Sequence, residues 1–297
     1  YTVEKNMDDS KAEDLGNRFV SSSMIDFIIR DHDADVYNVD GQMLLRFRKN
    51  ALAKSHTKEF YDNVIDFAEL PTSNRGSTSG SKSKNVYDNP KIMSNIIGFF
   101  DRFPPNYKVV FKKAGIKPPL EIRECRFNRD NPDKFKKMIP LVKEINELYK
   151  INAPEYFEKQ NKKAKQTFFK IPGTAFTTIT TNVNFKTSIH KDKGDDAEGF
   201  GNLAVIENGK YEGAETCFPQ YGIGVDVRTG DMLFMDVHEW HGNLPMKPLE
   251  KDAKRLSIVC YLRYNIWLRT KNKTKRFYEK HNHTIRRLTK TGSAKRT

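Results

Sequence analysis

Ser188-Ile189-His190-Lys191-Asp192 is the one place in the 297 residues where a histidine and an aspartate stand two apart in the order His-x-Asp. Residues two apart at the end of a strand project to the same side. An imidazole and a carboxylate placed that way can take adjacent positions on one metal ion. A third ligand has to come from elsewhere in the chain. The segment Asp236-Val237-His238-Glu239-Trp240-His241-Gly242-Asn243-Leu244-Pro245 follows the turn Thr229-Gly230-Asp231 and the apolar run Met232–Met235, and offers both His238 and His241. Two histidines and one carboxylate leave three open positions on iron, enough for a bidentate co-substrate and oxygen; zinc accepts the same ligand types, but nothing else in the chain resembles a hydrolase. Fourteen residues beyond His241, Arg255 and Ser257 share a strand face. A guanidinium fork beside a hydroxyl is a receptor for the remote carboxylate of a dicarboxylate.

The elements that must position these groups read as an α+β chain. From Phe168 to about Trp267 the sequence is rich in Thr, Val, Ile and aromatics, with Gly-containing breaks at short intervals. Expected strands are Ala175–Phe185, Leu203–Glu207, Gly222–Val227, Met232–Asp236 and Arg255–Asn265, a pattern of a β-sandwich or barrel. In the first of these, Ile179 and Val183 fall on one face and Thr178, Thr180, Asn182 and Asn184 on the other. That polar face looks either into a polar cavity or at water.

Residues 1–167 read as mostly helical. Helices are expected from Ser10 to about Arg30, from Ala51 to Phe67, over Pro90–Phe103, and from the N-cap Asn131 onward, where Phe135, Met138, Val142, Ile145 and Tyr149 make a packing stripe with Pro140 inside it. A strand pair is expected over Ala34–Arg48 about the Asp40-Gly41 turn. Residues 72–85 are small, polar and Gly/Ser-rich: a flexible linker, or a flap whose Arg75 reaches an anion. Residues 269–297 form a basic tail with eleven Lys/Arg, one Glu and little apolar patterning.

The whole chain carries 52 Lys+Arg against 38 Asp+Glu, a formal charge of +14. Such an excess suits a polyanionic partner, nucleic acid above all, and equally describes a lysine-rich soluble protein. Cys125, Cys217 and Cys260 are odd in number and lack CxxC spacing, which points to a reducing, intracellular setting and away from a cysteine zinc site. No apolar run is long enough to span a bilayer, and the start has no signal-peptide pattern. The chain opens on Tyr1 rather than Met, which leaves its own start open. No protein partner is inferred.

With HKD at His190–Asp192, HGNLP at His241–Pro245 and RLS at Arg255–Ser257, the stretch Phe168–Trp267 resembles the 2-oxoglutarate/Fe(II) dioxygenase superfamily. The resemblance implies a double-stranded β-helix (jelly roll) core over 168–268 supported by the N-terminal helices. It implies Fe(II) held by His190, Asp192 and His241, with O2 and 2-oxoglutarate as co-substrates and Arg255 and Ser257 on the far carboxylate. In that family a Pro follows the distal histidine, so the resemblance selects His241 over His238. The stretch from Thr187 to Asn243 is most similar to the JBP-like members of the TET/JBP branch, which oxidise the methyl group of 5-methylpyrimidines. That implies 5-methylcytosine or thymine in DNA as substrate, and a nuclear or DNA-associated setting. Unlike animal TET proteins, the chain has no cysteine-rich zinc-binding region, and it shows no obvious inserted base-J-binding domain. A prolyl or lysyl protein hydroxylase and a non-catalytic jelly-roll binding module are the alternatives.

Overall fold

The computed structural model describes all residues except 74, 82, 84, 86, 87, 118, 119 and 294–297. In chain order the elements are β1 (Thr2–Val3), α1 (Asp9–Asp14), β2 (Phe27–Ile29), β3 (Ala34–Asn38), β4 (Met43–Arg48), α2 (Lys54–Ala68), β5 (Ser94–Phe100), α3 (Pro105–Lys113), β6 (Arg123–Glu124), α4 (Arg126–Asp130), α5 (Pro132–Asn152) and α6 (Pro154–Ala164). They are followed by β7 (Thr178–Val183), β8 (Gly201–Asn208), β9 (Tyr211–Gly213), β10 (Thr216–Phe218), β11 (Ile223–Val225), β12 (Met232–Met235), β13 (Gly242–Asn243), β14 (Met246–Pro248), β15 (Lys254–Tyr261), α7 (Tyr264–Thr270) and α8 (Lys275–Ser293).

A nine-stranded sheet runs β1-β3-β4-β12-β8-β15-β7-β5-β6, and a four-stranded sheet runs β13-β10-β11-β2. Strand periodicity sorts the side chains of the large sheet into two cores. Ile179, Val183, Ala204, Ile206, Met232, Phe234, Leu256, Ile258 and Cys260 pack with the buried faces of α2, α5 and α6. The alternate residues Leu203, Val205, Leu233 and Met235 pack with Phe218, Ile223 and Val225 of the small sheet. Both faces of β8 and β12 are therefore covered, which is why these strands read as unbroken apolar runs rather than alternating ones. Along β15 the residues that alternate with Leu256, Ile258 and Cys260 are Arg255, Ser257, Val259 and Tyr261, and these line a cavity.

The helices about Ala51–Phe67 and from Asn131 form as α2 and α5, the latter continuing through Pro140. Ala34–Arg48 forms the antiparallel pair β3–β4.

Three expectations are corrected. Of the helix expected over Ser10–Arg30, only α1 forms, capped by Asp8, whose carboxylate accepts from Lys11 N at 2.7 Å. Asn17 has a φ of 65°, and Phe27–Ile29 pairs in parallel with β11. The apolar residues there serve a sheet edge, not a helix face. The helix expected over Pro90–Phe103 is the strand β5, paired with β7 and β6. Its SNIIGFF sequence, half-buried or buried throughout, shows no clean alternation, so periodicity could not tell strand from helix. The N-terminal region still holds far more helix than strand, with the short strands β1 to β6 joining the sheets. Lastly, the basic tail holds α8, which buries His281, Asn282, Ile285, Leu288 and Thr289; its ends 294–297 lie outside the described residues.

Candidate active site

The segment carrying His190 is built into the protein by main-chain bonds on both sides. His190 N donates to His241 O at 2.8 Å, and His241 N donates to His190 O at 3.0 Å. In such a hydrogen-bonded antiparallel pair the two side chains lie side by side, and here the ring centroids are 4.4 Å apart. Asp192 N donates to Val237 O at 2.9 Å. Period two then brings the Asp192 carboxylate to the same side, 3.6 Å from His190 Nε2 and 3.7 Å from His241 Nε2. On its other edge the segment is held by Ile189 N to Arg18 O and Asn17 N to Ile189 O, at 2.7 and 2.8 Å. One donor atom from each of His190, Asp192 and His241 lies within 4.8 Å of the other two.

The ring nitrogens are oriented for metal binding. His190 Nδ1 lies 2.7 Å from Ser188 O, and His241 Nδ1 lies 2.9 Å from Glu239 O. A carbonyl only accepts, so each Nδ1 carries a proton and each Nε2 is the nitrogen facing Asp192. Burial, with His190 adding to it, pushes the His241 pKa down to about 4, so this imidazole is neutral at pH 7. His238 goes elsewhere. It sits in the turn after β12, and its Nδ1 lies 3.0 Å from Asp236 Oδ1. That contact raises its pKa above the ordinary histidine value. Asn243 ties the two ligand segments together: its Oδ1 accepts from Thr187 N at 2.8 Å and its Nδ2 donates to Phe185 O at 3.2 Å.

A cavity of about 170 Å³ extends from these groups between the two sheets. Arg255 and Ser257 line it, both buried. The Arg255 backbone is fixed by Asn184, a residue at φ 52°, whose Oδ1 accepts from Arg255 N at 2.7 Å. Among the described residues the Arg255 guanidinium makes no ion pair, and burial lowers its pKa. Asn182 donates to Ser257 Oγ at 3.3 Å, while its own Oδ1 is buried without a partner among the described residues. A buried cation with no acid beside it suits an incoming carboxylate.

Two further lining residues, Arg263 and Asp195, were not anticipated. Arg263 falls on the same parity as Arg255 and Ser257, so period two could have found it; it grips Asp101 through Nε and Nη2 at 3.1 Å each. Asp195 sits 3.9 Å from Arg263, and burial together with the nearby Asp192 raises its pKa well above the usual carboxylate range. No periodic signal marks Asp195. The polar face of β7 does look into the cavity at Thr180 and Asn182. Arg75 enters it as well, its Nε 3.0 Å from Ser94 Oγ and its Nη2 3.4 Å from Thr180 Oγ1. The loop behind Arg75 is tied down, with Ser188 N donating to Thr78 O and Ser188 Oγ to Ser77 O, both at 2.8 Å. Its residues 74, 82 and 84 lie outside the described residues.

Comparison with known proteins bears on what this cavity is for. The family model described as the oxygenase domain of the 2OGFeDO superfamily, Tet_JBP, matches residues 107–264. The chain belongs to the Tet_JBP family. The match takes in His190, Asp192, His241, Arg255 and Ser257 together. The superfamily uses Fe(II), 2-oxoglutarate and O2, and the donor set at His190, Asp192 and His241 fits the metal. A "Bifunctional helicase and thymine dioxygenase JBP2" of Leishmania braziliensis is 38% identical over 141 residues, 48% of this chain and 13% of that protein. A "Thymine dioxygenase JBP1" of Trypanosoma brucei brucei is 30% identical over 203 residues, 68% of this chain and 22% of that protein. This Tet_JBP chain thus matches between an eighth and a quarter of the length of those relatives. The solved structure "NgTET1 in complex with 5mC DNA" aligns with a TM-score of 0.47 and 14% identity, covering 95% of this chain and 89% of that one. Among the described residues, no helix is long and apolar enough to cross a membrane.

Proposed function

We propose that the chain is a dioxygenase that oxidises the methyl group of 5-methylcytosine or thymine in DNA to hydroxymethyl. The observation that carries this reading is a His-Asp-His group and an unpaired buried Arg255 facing one cavity. The names of the relatives, thymine dioxygenases, favour thymine of the two bases. The two facing sheets are read as the jelly roll of the superfamily, with the cavity between them.

In this reading His190, Asp192 and His241 hold the metal through two Nε2 atoms and a carboxylate. Arg255 and Ser257 take the far carboxylate of 2-oxoglutarate. Fe(II) with 2-oxoglutarate and O2 supplies, when bound, the oxidising power that breaks the methyl C–H bond. The protein holds the co-substrate in one orientation and keeps water from the reacting centre, which the buried lining of β7 and β15 accomplishes. A base within a duplex must leave the stack to enter a cavity this narrow. Thr180, Asp195, Tyr261 and Arg263 then offer it hydrogen-bond donors and acceptors.

Incubating the protein with Fe(II), 2-oxoglutarate and methylated or thymine-containing DNA, followed by nucleoside mass spectrometry, tests the proposal. A hydroxymethyl base is expected. Succinate formation stimulated by a protein substrate, with every DNA left unchanged, would sink it in favour of a prolyl or lysyl hydroxylase.

A further inference from the structure

The basic segment after Trp267 is not a free tail. Helix α8 seats one face on the domain. His281 Nε2 donates to Ile122 O at 2.7 Å, and Arg286 grips Glu124 with Nε and Nη2 at 2.6 and 2.7 Å. Ile285 and Leu288 pack with Tyr107 and Phe111 of α3. The seated residues leave Arg276, Lys280 and His283, at spacings of four and three, exposed on another face. Lys273 and Lys275 are exposed at its start, and Glu279 is the one acid in this stretch, 3.9 Å from Lys275. Helix α3 adds the exposed Lys108, Lys112 and Lys113.

This helix packs on the face of β5 that points away from the cavity, with the ring centroids of Tyr278 and Phe99 6.0 Å apart. Glu124, its anchor, lies in β6, which pairs with β5 in the register Phe99 to Glu124 and Phe100 to Arg123. Phe100 lines the cavity, with the Arg263 guanidinium 4.7 Å and the Arg123 guanidinium 5.7 Å from its ring centroid. One strand spacing, about 4.8 Å, separates the cavity wall from the strand that anchors α8. Arg276 and Lys280 stand about 6 Å apart along α8 at 1.5 Å per residue.

We propose that the exposed face of α8, through Arg276 and Lys280, is a docking surface for the phosphate backbone of duplex DNA. The proposal rests on the reading of DNA as substrate and adds where the duplex is held. The complementarity is one of charge: a rigid, preformed row of cations against a polyanion, with no base reading implied.

The test is the salt dependence of binding to a fluorescent 20-base-pair duplex, for the wild type, for Arg276→Gln/Lys280→Gln, and for the equally charge-reduced Lys136→Gln/Lys150→Gln on α5. Losing two phosphate contacts lowers the slope of log K against log salt by about 1.8, and affinity by tens of fold at 0.1 M salt. The α8 pair should show that loss, and the α5 pair should not. Turnover on a trinucleotide too short to reach α8 should be unchanged in both variants. Equal slopes for wild type and the α8 variant, or equal losses in both variants, would overturn the docking surface while leaving the oxygenase reading standing. The α8-dependent slope without oxidation of any base would do the reverse.

Discussion

Replacing Arg255 with Met separates a co-substrate anchor from a structural residue, because the two roles predict opposite effects on stability. Arg255 is 7% exposed and makes no ion pair among the described residues. A buried cation with no acid paired to it costs desolvation that the neighbouring Tyr211 hydroxyl only partly offsets, so exchanging it for an apolar side chain of similar length is neutral or stabilising. Without 2-oxoglutarate, the melting temperature of Arg255→Met should equal or exceed that of the wild type. With 2-oxoglutarate bound, the same change leaves a carboxylate facing an apolar wall. Breaking one side of such a buried pair costs about 3–5 kcal/mol, or roughly 150- to 5,000-fold in affinity. At 100 times its dissociation constant, 2-oxoglutarate stabilises the wild type by about 2.7 kcal/mol, a shift of about 5 °C for a domain of this size. At that concentration the variant should show no measurable shift. The assay is thermal denaturation with the divalent metal held constant, with and without 2-oxoglutarate. A variant that loses stability without the co-substrate and keeps the wild-type shift with it would refute the reasoning.

Four further outcomes follow from the same geometry. Asp192→Ala should lower metal affinity at least 100-fold by direct titration, whereas His238→Ala, whose imidazole is turned to Asp236, should stay within threefold. Asn243→Ala removes the side-chain clamp between the two ligand segments and should weaken metal binding by about 10- to 100-fold, measured the same way. A Cβ on Gly201 would stand 2.3 Å from Val237 Cγ1, so Gly201→Ala should cost about 1–3 kcal/mol in denaturant unfolding. Burial lowers the His281 pKa below its ordinary 6.5; the unfolded chain therefore takes up the proton first, and the stability this residue contributes above pH 6.5 is lost as pH falls through its folded value. His281→Leu should show a shallower loss of melting temperature between pH 6.5 and 5 than the wild type.

How much of this was legible in the sequence depended on whether a residue's placement is local or set by tertiary pairing. The His190-x-Asp192 spacing and the Arg255-x-Ser257 spacing each encode a shared strand face, and the structure brings both pairs to one cavity. The polar face of β7 left cavity and solvent equally open until its neighbours were known; pairing with β5 and β15 is what encloses it. The choice between His238 and His241 turns on the reciprocal main-chain bonds of His190 and His241, a contact between distant segments that local pattern does not carry. Strand β5 was misread because a strand covered on both faces has no alternation to detect. The tail was read as unpatterned because its few apolar residues, Ile285 and Leu288, are dispersed among cations and gain meaning only against Tyr107 and Phe111. Asp195 reaches the cavity from a loop, where no periodicity operates, and Arg75 does so from the loop read as either a linker or a flap.

The central claim is most directly tested by quantifying succinate and modified nucleosides in one reaction of the protein with Fe(II), 2-oxoglutarate and DNA carrying thymine or 5-methylcytosine. The account predicts a hydroxymethyl base accompanied by succinate in the wild type, and neither product in His190→Ala or Asp192→Ala. A hydroxymethyl base formed at wild-type yield by either variant would contradict it, as would succinate released by the wild type with every nucleoside unchanged.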